Sequence, residues 1–315
     1  MSVGNELAAE LGNDRDAMLN ALFERLGTRA YLRGNELTLD GDDGAVERAR
    51  LVVDELAELV AEGVSVGAQT VDAVAGVLTE DGRAVDVLHD IVWMHRGNKV
   101  TPKTIVQKRY VDAIRANTVS FGIGPAGTGK TYLAIALAVA ALQEREVARI
   151  ILTRPAVEAG ERLGFLPGDL LAKVDPYLRP LFDALHDMLD AERLASYMDK
   201  GMVEVAPLAF MRGRTLNDSF IILDEAQNTS PEQMQMFLTR LGFGSRIVVT
   251  GDITQIDLPR DQRSGLVNVI SVLEGVQDIA FVHFSDADVV RHKLVQRMVS
   301  AYREHSEASG EGGRK

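Results

Sequence analysis

The sequence predicts an α/β fold, a doubly wound parallel sheet preceded by a small α/β module. Three observations predict it. After residue 118, four or five short apolar runs of the kind buried in parallel sheets alternate with helical patterns. A glycine-rich turn at residues 124–131 joins one such run directly to a helix. The first sixty residues follow a different order, in which a helix, a hairpin and a second helix succeed one another.

Taken in order, residues 1–14 are polar and expected to be loose. Residues 16–26 place Ala17, Leu19, Leu22, Phe23 and Leu26 on one broad helical face, and Gly27 stops that helix. Two short apolar runs, 30–32 and 37–39, flank Gly34-Asn35, a hairpin turn. A second turn at 40–44 leads into an amphipathic helix over 45–60. This pattern resembles a small KH-like module. It has no G-x-x-G loop with basic neighbours, and its negative charge repels phosphate, so a structural or assembly role is expected. Residues 65–91 read as further helices interrupted at Gly76, and 92–99 as a polar connector. The resulting division is a flexible start (1–15), a small module (16–92), a connector (93–100), the core (101–304) and a disordered tail (305–315).

The core carries the chemistry. An apolar strand at 119–123 opens into Gly124-Pro125-Ala126-Gly127-Thr128-Gly129-Lys130-Thr131, which fills the pattern G-x-x-x-x-G-K-[ST]. Glycines let the backbone N–H groups turn inward, and the positive end of the following helix (131–142) completes a cradle for phosphate oxygens. Pro125 and Ala126 keep the loop small and stiff. Lys130 reaches the β- and γ-phosphates, and the Thr131 hydroxyl ligates Mg²⁺. This is a nucleoside-triphosphate site, with ATP and Mg²⁺ expected. Upstream, Gln107 opens a helix running to 116 and presents both a donor and an acceptor to an adenine edge.

Downstream, a strand at 148–153 ends in Arg154-Pro155, followed by a Gly-rich connection at 158–169, one long helix over 178–198 and a short strand at 203–206. The strand at 220–223 ends in Asp224-Glu225. Asp224 is placed to hold Mg²⁺ opposite Thr131, and Glu225 to orient and polarise the attacking water as general base. Ser230, Pro231, Glu232 and Gln233 open a capped helix at 230–241. The strand at 247–250 runs into Gly251–Gln255, where Gln255 points into the crevice at the strand ends and reports a γ-phosphate. A helix at 265–273, a strand at 279–282 and a last helix at 287–302 carrying Arg291, His292, Lys293 and Arg297 complete the core.

Composition narrows the function classes. No cysteine is present, so disulfides and thiolate zinc sites are excluded, and the six histidines show no metal spacing. No apolar run approaches the ~20 residues that cross a bilayer, and the acidic N-terminus is unlike a signal peptide. A soluble cytoplasmic protein without membrane contact is expected. Of the net charge of −12, residues 1–98 carry −11, with 19 Asp/Glu against 8 Lys/Arg, and the remainder carries −1, with 27 against 26. Any nucleic-acid contact therefore falls to local arginine clusters in the last two-thirds.

Together, residues 124–131, 152–157 with 163–169, 205–216, 221–228, 251–259, and 288–292 with Ala301-Tyr302 resemble the PhoH-like ATPase family, over essentially all of 100–303. The core is similar to one RecA-type half of a superfamily 1 helicase. The resemblance implies a P-loop NTPase fold in which 124–131 is the Walker A loop, Asp224-Glu225 the Walker B pair, Gln255 the γ-phosphate sensor and Gln107 the adenine reader. It further implies ATP hydrolysis, a homo-oligomeric ring, a hexamer in expectation, a link to RNA unwinding or processing, and partnership with an rRNA-maturation endoribonuclease.

Only one such core is present, so an arginine supplied by a neighbouring subunit is expected to complete each site. Arg291 leads, then Arg240, with Arg260 or Arg263 as further candidates; Arg154, Arg162, Arg179, Arg212 and Arg214 are candidate RNA contacts. Two functions remain open: an ATP-driven RNA-remodelling enzyme, or an ATP-gated assembly factor for a nuclease or ribosomal partner that unwinds nothing. A small-molecule kinase fits less well, because a kinase excludes the water that Glu225 is placed to activate.

Overall fold

A computed structural model of the chain describes residues 1–13, 17–61, 66–78, 90–155, 170–259, 261–290 and 298. The N-terminal module comprises α1 (Asn5–Asn13), α2 (Ala17–Leu26), the antiparallel hairpin β1 (Arg29–Arg33) and β2 (Glu36–Asp40), α3 (Asp43–Ala61) and α4 (Ala68–Leu78). Gly34 turns the hairpin at φ 61°. Residues 1–14, expected to be loose, instead hold α1. Leu7 and Leu11 lie one helical turn apart and are buried with Leu22, Leu37, Leu56 and Val71 in a single core. The Met1 ammonium also donates to the Leu37 carbonyl oxygen at 2.8 Å, which pins the first residues along the hairpin. Gly76 does not interrupt a helix: it lies inside α4, where open space surrounds it.

The stretch expected as a polar connector holds a short antiparallel hairpin. β3 (Trp93–His95) pairs with β4 (Asn98–Val100) across Arg96 and Gly97, both at positive φ, as a two-residue hairpin turn of right-handed twist requires. The Trp93 indole N–H donates to the Met188 carbonyl at 2.9 Å and so fastens the hairpin to the core.

The core then runs α5 (Ile105–Ala116), β5 (Val119–Ile123), α6 (Lys130–Gln143), β6 (Arg149–Arg154), α7 (Leu170–Met188), α8 (Ala191–Asp199), β7 (Val203–Pro207), β8 (Ser219–Leu223), α9 (Pro231–Leu238), β9 (Arg246–Gly251), α10 (Gly265–Leu273) and β10 (Ile279–His283). Its six strands, rather than four or five, form one parallel sheet in the order β10-β5-β9-β8-β6-β7. Every residue of β5 and of β8 is buried, which explains their continuous apolar sequence. On one face Ile150, Leu152, Phe220 and Val248 pack with α5, α6 and α7; on the other Phe121, Ile151, Ile221 and Val249 pack with α9 and α10. The sheet is doubly wound as expected, with helices packed on both of its faces.

The helix expected over 178–198 is two helices. α7 starts earlier, at Leu170, and ends at Met188; Asp190 then adopts an extended conformation and accepts the first backbone bond of α8 from Leu194. Burial of Leu189 and Leu194 turns the second helix back onto the core. α9 begins with the expected reciprocal cap between Ser230 and Gln233 but ends at Leu238, short of 241. The last helix does not begin at 287: Asp286–Asp288 make a single 3₁₀ turn and Val289 is extended. The expected connection at 158–169, the rest of the last helix apart from Met298, and the tail lie outside the described residues.

Gly122, in the middle of β5, is a packing requirement, since a Cβ there would stand 2.8 Å from the Tyr110 ring. The Tyr110 hydroxyl is buried with no hydrogen-bond partner among the described residues. Gly122→Ala is expected to lower unfolding free energy by about 1–3 kcal/mol through overpacking. Tyr110→Phe should raise it by about 1 kcal/mol by removing the unpartnered hydroxyl. Urea denaturation measures both.

Candidate active site

The carboxyl ends of four adjacent parallel strands deliver the site. β5 opens into the glycine-rich loop, β9 into Gly251–Gln255, β8 into Asp224-Glu225, and β6 ends on Arg154. Loops at this edge of an open parallel sheet form the ligand crevice.

The glycine-rich loop depends on its backbone. Gly124 has φ 151°, and a Cβ on it would lie 2.5 Å from the Phe284 carbonyl oxygen. Gly129, at φ 79°, is the left-handed N-cap of α6. The Thr128 hydroxyl donates to the Pro125 carbonyl at 2.9 Å. Lys130 is buried, and its ammonium donates to the carbonyl oxygens of Gly124 and Pro125, both at 2.7 Å. Its cation therefore sits over the loop, where phosphate oxygens would compete with those carbonyls. Ala126 and Gly127 form the turn that follows Pro125, and the Gly127 carbonyl accepts from the Val290 N–H at 3.0 Å. Asp288 anchors this C-terminal strap, accepting from the Thr104 hydroxyl at 2.9 Å.

Gln107 is buried with both ends of its amide engaged inside the protein. Its Oε1 accepts from the Lys103 N–H at 2.5 Å and its Nε2 donates to the Thr128 carbonyl at 3.0 Å. It braces the glycine-rich loop, and an adenine edge would have to displace one of these bonds.

Thr131 and Asp224 meet as expected: the hydroxyl donates to Asp224 Oδ1 at 2.7 Å. β9 lies between β5 and β8, and Thr250 near its end donates to the same Oδ1 at 2.8 Å. Sequence reading passed over Thr250, although a hydroxyl in an otherwise apolar buried strand was a visible signal. A carboxylate oxygen with threonine hydroxyls is a hard-oxygen donor set that fits Mg²⁺, an ion held by one or two carboxylates together with substrate phosphates. Among the described residues no cluster of three His or acidic groups offers a different metal site. Burial, with the Asp224 carboxylate nearby, pushes the Tyr110 phenol well above its usual range.

Glu225 adopts the left-handed conformation, φ 53° and ψ 39°, a strained geometry for a residue with a Cβ. Both of its carboxylate oxygens are engaged. Arg154 Nη2 lies 3.1 Å from Oε1, and Gln227 Nε2 donates to Oε2 at 2.5 Å. Gln227 is almost fully buried. Its Oε1 accepts from the Asp252 N–H at 3.0 Å and its Nε2 also donates to the Gln255 carbonyl at 3.2 Å. Gln227, which sequence reading did not single out, thus joins the acidic pair to the loop after β9. Gln255 itself is exposed and engages that loop through its backbone.

The arginines divide. Arg154, read as an RNA contact, faces the acidic pair instead, 4.0 Å from Asp224 Oδ2, with Nη1 donating to the Tyr177 carbonyl. Arg214 forms a two-pronged ion pair with Glu204, and its hydrogen bonds hold the Glu204 carboxyl below the usual range. Arg240 caps its own helix through the Met236 carbonyl and reaches the Arg214 carbonyl. Arg179, Arg212 and Arg263 are exposed. Arg162, Arg260 and Arg291 lie outside the described residues.

The family model described as PhoH-like protein matches residues 99–303. A PhoH-like protein of Mycobacterium tuberculosis is 55% identical over 309 residues, covering 98% of this chain and 88% of its own. One from Bacillus subtilis is 45% identical over 300 residues, covering 94% and 93%. Among solved structures, Pif1 helicase from Candida albicans matches 62% of this chain and 42% of its own at 13% identity and a TM-score of 0.33, too low a likeness to argue from.

Because Gln107 holds the loop that would cradle phosphates, Gln107→Ala is expected to weaken binding of ATP and GTP alike by about tenfold, the worth of one or two buried hydrogen bonds. Titration with fluorescent analogues of both nucleotides checks this; a loss confined to the adenine nucleotide would assign the amide to base reading.

Proposed function

Since this chain belongs to the PhoH-like protein family, we propose that it is an ATP-hydrolysing P-loop protein that couples Mg-ATP turnover to RNA remodelling or RNA processing as a homo-oligomeric, hexameric ring. The observation that carries the hydrolytic part is the junction of Thr131, Thr250 and Asp224, with Glu225 beside it, directly below the glycine-rich loop. In this reading the loop N–H groups and Lys130 bind the phosphates. Thr131 and Asp224 hold Mg²⁺, which when bound offsets charge on the phosphate oxygens. Glu225 orients a water and accepts its proton, and Gln227 keeps that carboxylate aligned. Gln255 and its loop register the terminal phosphate through Gln227.

The RNA part rests on the helicase-like order of the motifs and on the exposed Arg179, on α7, and Arg212, after β7. One observation favours a second reading. Arg214 and Arg154 are paired with carboxylates, and the N-terminal third is strongly acidic, so the basic footprint is small. That arrangement suits an ATP-gated assembly factor for an rRNA-maturation endoribonuclease or ribosomal partner. No helix among the described residues is long and apolar enough to cross a membrane.

Lys130→Ala is expected to abolish nucleotide binding, whereas Glu225→Gln should retain ATP and hydrolyse it about 10²–10⁴-fold more slowly, the usual worth of a general base. Phosphate release by both variants checks the assignment. Turnover of the unaltered protein should rise with RNA and lose that stimulation steeply with salt. Stimulation by a nuclease partner and none by RNA would favour the assembly factor. Solution mass reads the ring.

A further inference from the structure

We propose that Arg154, at the end of β6, supplies in cis the cation that stabilises the terminal phosphate, and that it holds Glu225 out of action until that phosphate arrives. The inference rests on Glu225 being the general base. A single core was expected to borrow its arginine from a neighbour. Among the described residues, however, an arginine already faces the site. Arg154 is four-fifths buried, 3.1 Å from Glu225 Oε1 and 4.0 Å from Asp224 Oδ2, while Asp224 is bonded through Oδ1 to Thr131 of the glycine-rich loop. Its reach is set by the Tyr177 carbonyl, which accepts from Nη1 at 3.0 Å, the nitrogen nearer Asp224, and leaves Nη2 aimed at Glu225.

The geometry has a consequence for timing. With Arg154 on Oε1 and Gln227 on Oε2, each oxygen of the Glu225 carboxylate already has a donor. A terminal phosphate entering between Lys130 and Asp224 competes for the guanidinium, because planar forked donors pair with phosphate as well as with carboxylate. Transfer of Arg154 from Glu225 to that phosphate frees Oε1 to accept from water at the moment a hydrolysable group is present. Nucleoside diphosphate, which lacks that group, leaves the pair closed.

The alternatives for Arg154 are a purely structural ion pair and a ligand for RNA phosphate. Arg154→Ala and Arg154→Lys separate them, measured as ATP and ADP affinity together with kcat and KM, without RNA. For Arg154→Ala the expected result is ADP affinity within about threefold of the unaltered protein, which also shows that the variant folds. ATP affinity should fall about tenfold and kcat by at least a hundredfold, as for loss of one charge-assisted phosphate contact. Arg154→Lys should recover part of kcat. Equal losses for ATP and ADP, unchanged kinetics, a rise in kcat, or a defect seen only with RNA would each overturn the proposal. Mixing Arg154→Ala with Glu225→Gln should restore nothing, because each protomer lacks one half of its own site; rescue would place the arginine in trans and overturn it. Glu225→Gln alone tests the underlying reading separately: normal hydrolysis there would reject the base assignment whatever Arg154 does.

Discussion

One carboxylate oxygen holds the site together. Asp224 Oδ1 accepts from Thr131 on the helix after β5 and from Thr250 on β9, and the Asp224 residue itself continues β8, so a single atom ties three chain segments at one point. The arrangement depends on strand order: only because β9 lies between β5 and β8 does a threonine from the middle strand reach the other two. In a buried setting an unpaired carboxylate is costly, so the pairing is enforced by desolvation as well as by the bonds themselves. Everything that follows, the position of Glu225, the closure by Arg154 and the placing of Lys130, is measured from that point.

The surrounding backbone is crowded enough to fix these positions without further contacts. Gly124 sits against the Phe284 carbonyl, and a Cβ on Gly251 would lie 2.8 Å from Gln227 Oε1 and 2.5 Å from a Leu266 methyl. The loops after β5 and β9 therefore approach their neighbours at distances that exclude any side chain. Glu225 bears the strain of this packing in its left-handed backbone, which turns its side chain toward Arg154 and Gln227 and away from the path of β8. Backbone geometry, rather than side-chain choice, aims the acidic pair.

What the sequence made legible follows from what is local. Buried strands announced themselves through unbroken apolar runs, the phosphate loop through glycines that must take positive φ, and the cap of α9 through Ser230 and Gln233 in fixed spacing. What stayed hidden is tertiary. Residues 1–14 looked polar because their inward-facing residues, Val3, Leu7, Ala8 and Leu11, are few and spread out, and their burial requires α3 and the hairpin to be in place. The hairpin at 93–100 carries its turn in Arg96-Gly97, a pair less telling than Asn-Gly, and owes its position to a bond between Trp93 and the distant Met188. Gln227 and Thr250 are ordinary polar residues until strands far apart in sequence bring them to Asp224 and Glu225. The fate of the arginines is of the same kind, since only the neighbours that Arg214 and Arg240 meet distinguish the first from a nucleic-acid contact and the second from an arginine offered to another subunit.

Both cations of the site have internal partners. Lys130 is held by carbonyl oxygens of its own loop, and Arg154 by Glu225; neither cation waits in solvent. In the proposed function a triphosphate would enter by exchanging these internal partners for its own oxygens, and each exchange would alter a different part of the protein. Displacing Lys130 releases the carbonyls of Gly124 and Pro125, next to the Gly127 turn where the strap through Val290 is tied. Displacing Arg154 releases Glu225, which Gln227 links to the Asp252–Gln255 loop. Phosphates bound as proposed would thus bear on two loops at once, one leading to the C-terminal strap and one to the end of β9. Two surfaces that respond together to one ligand are what a nucleotide-driven machine needs in order to signal its state to whatever it holds.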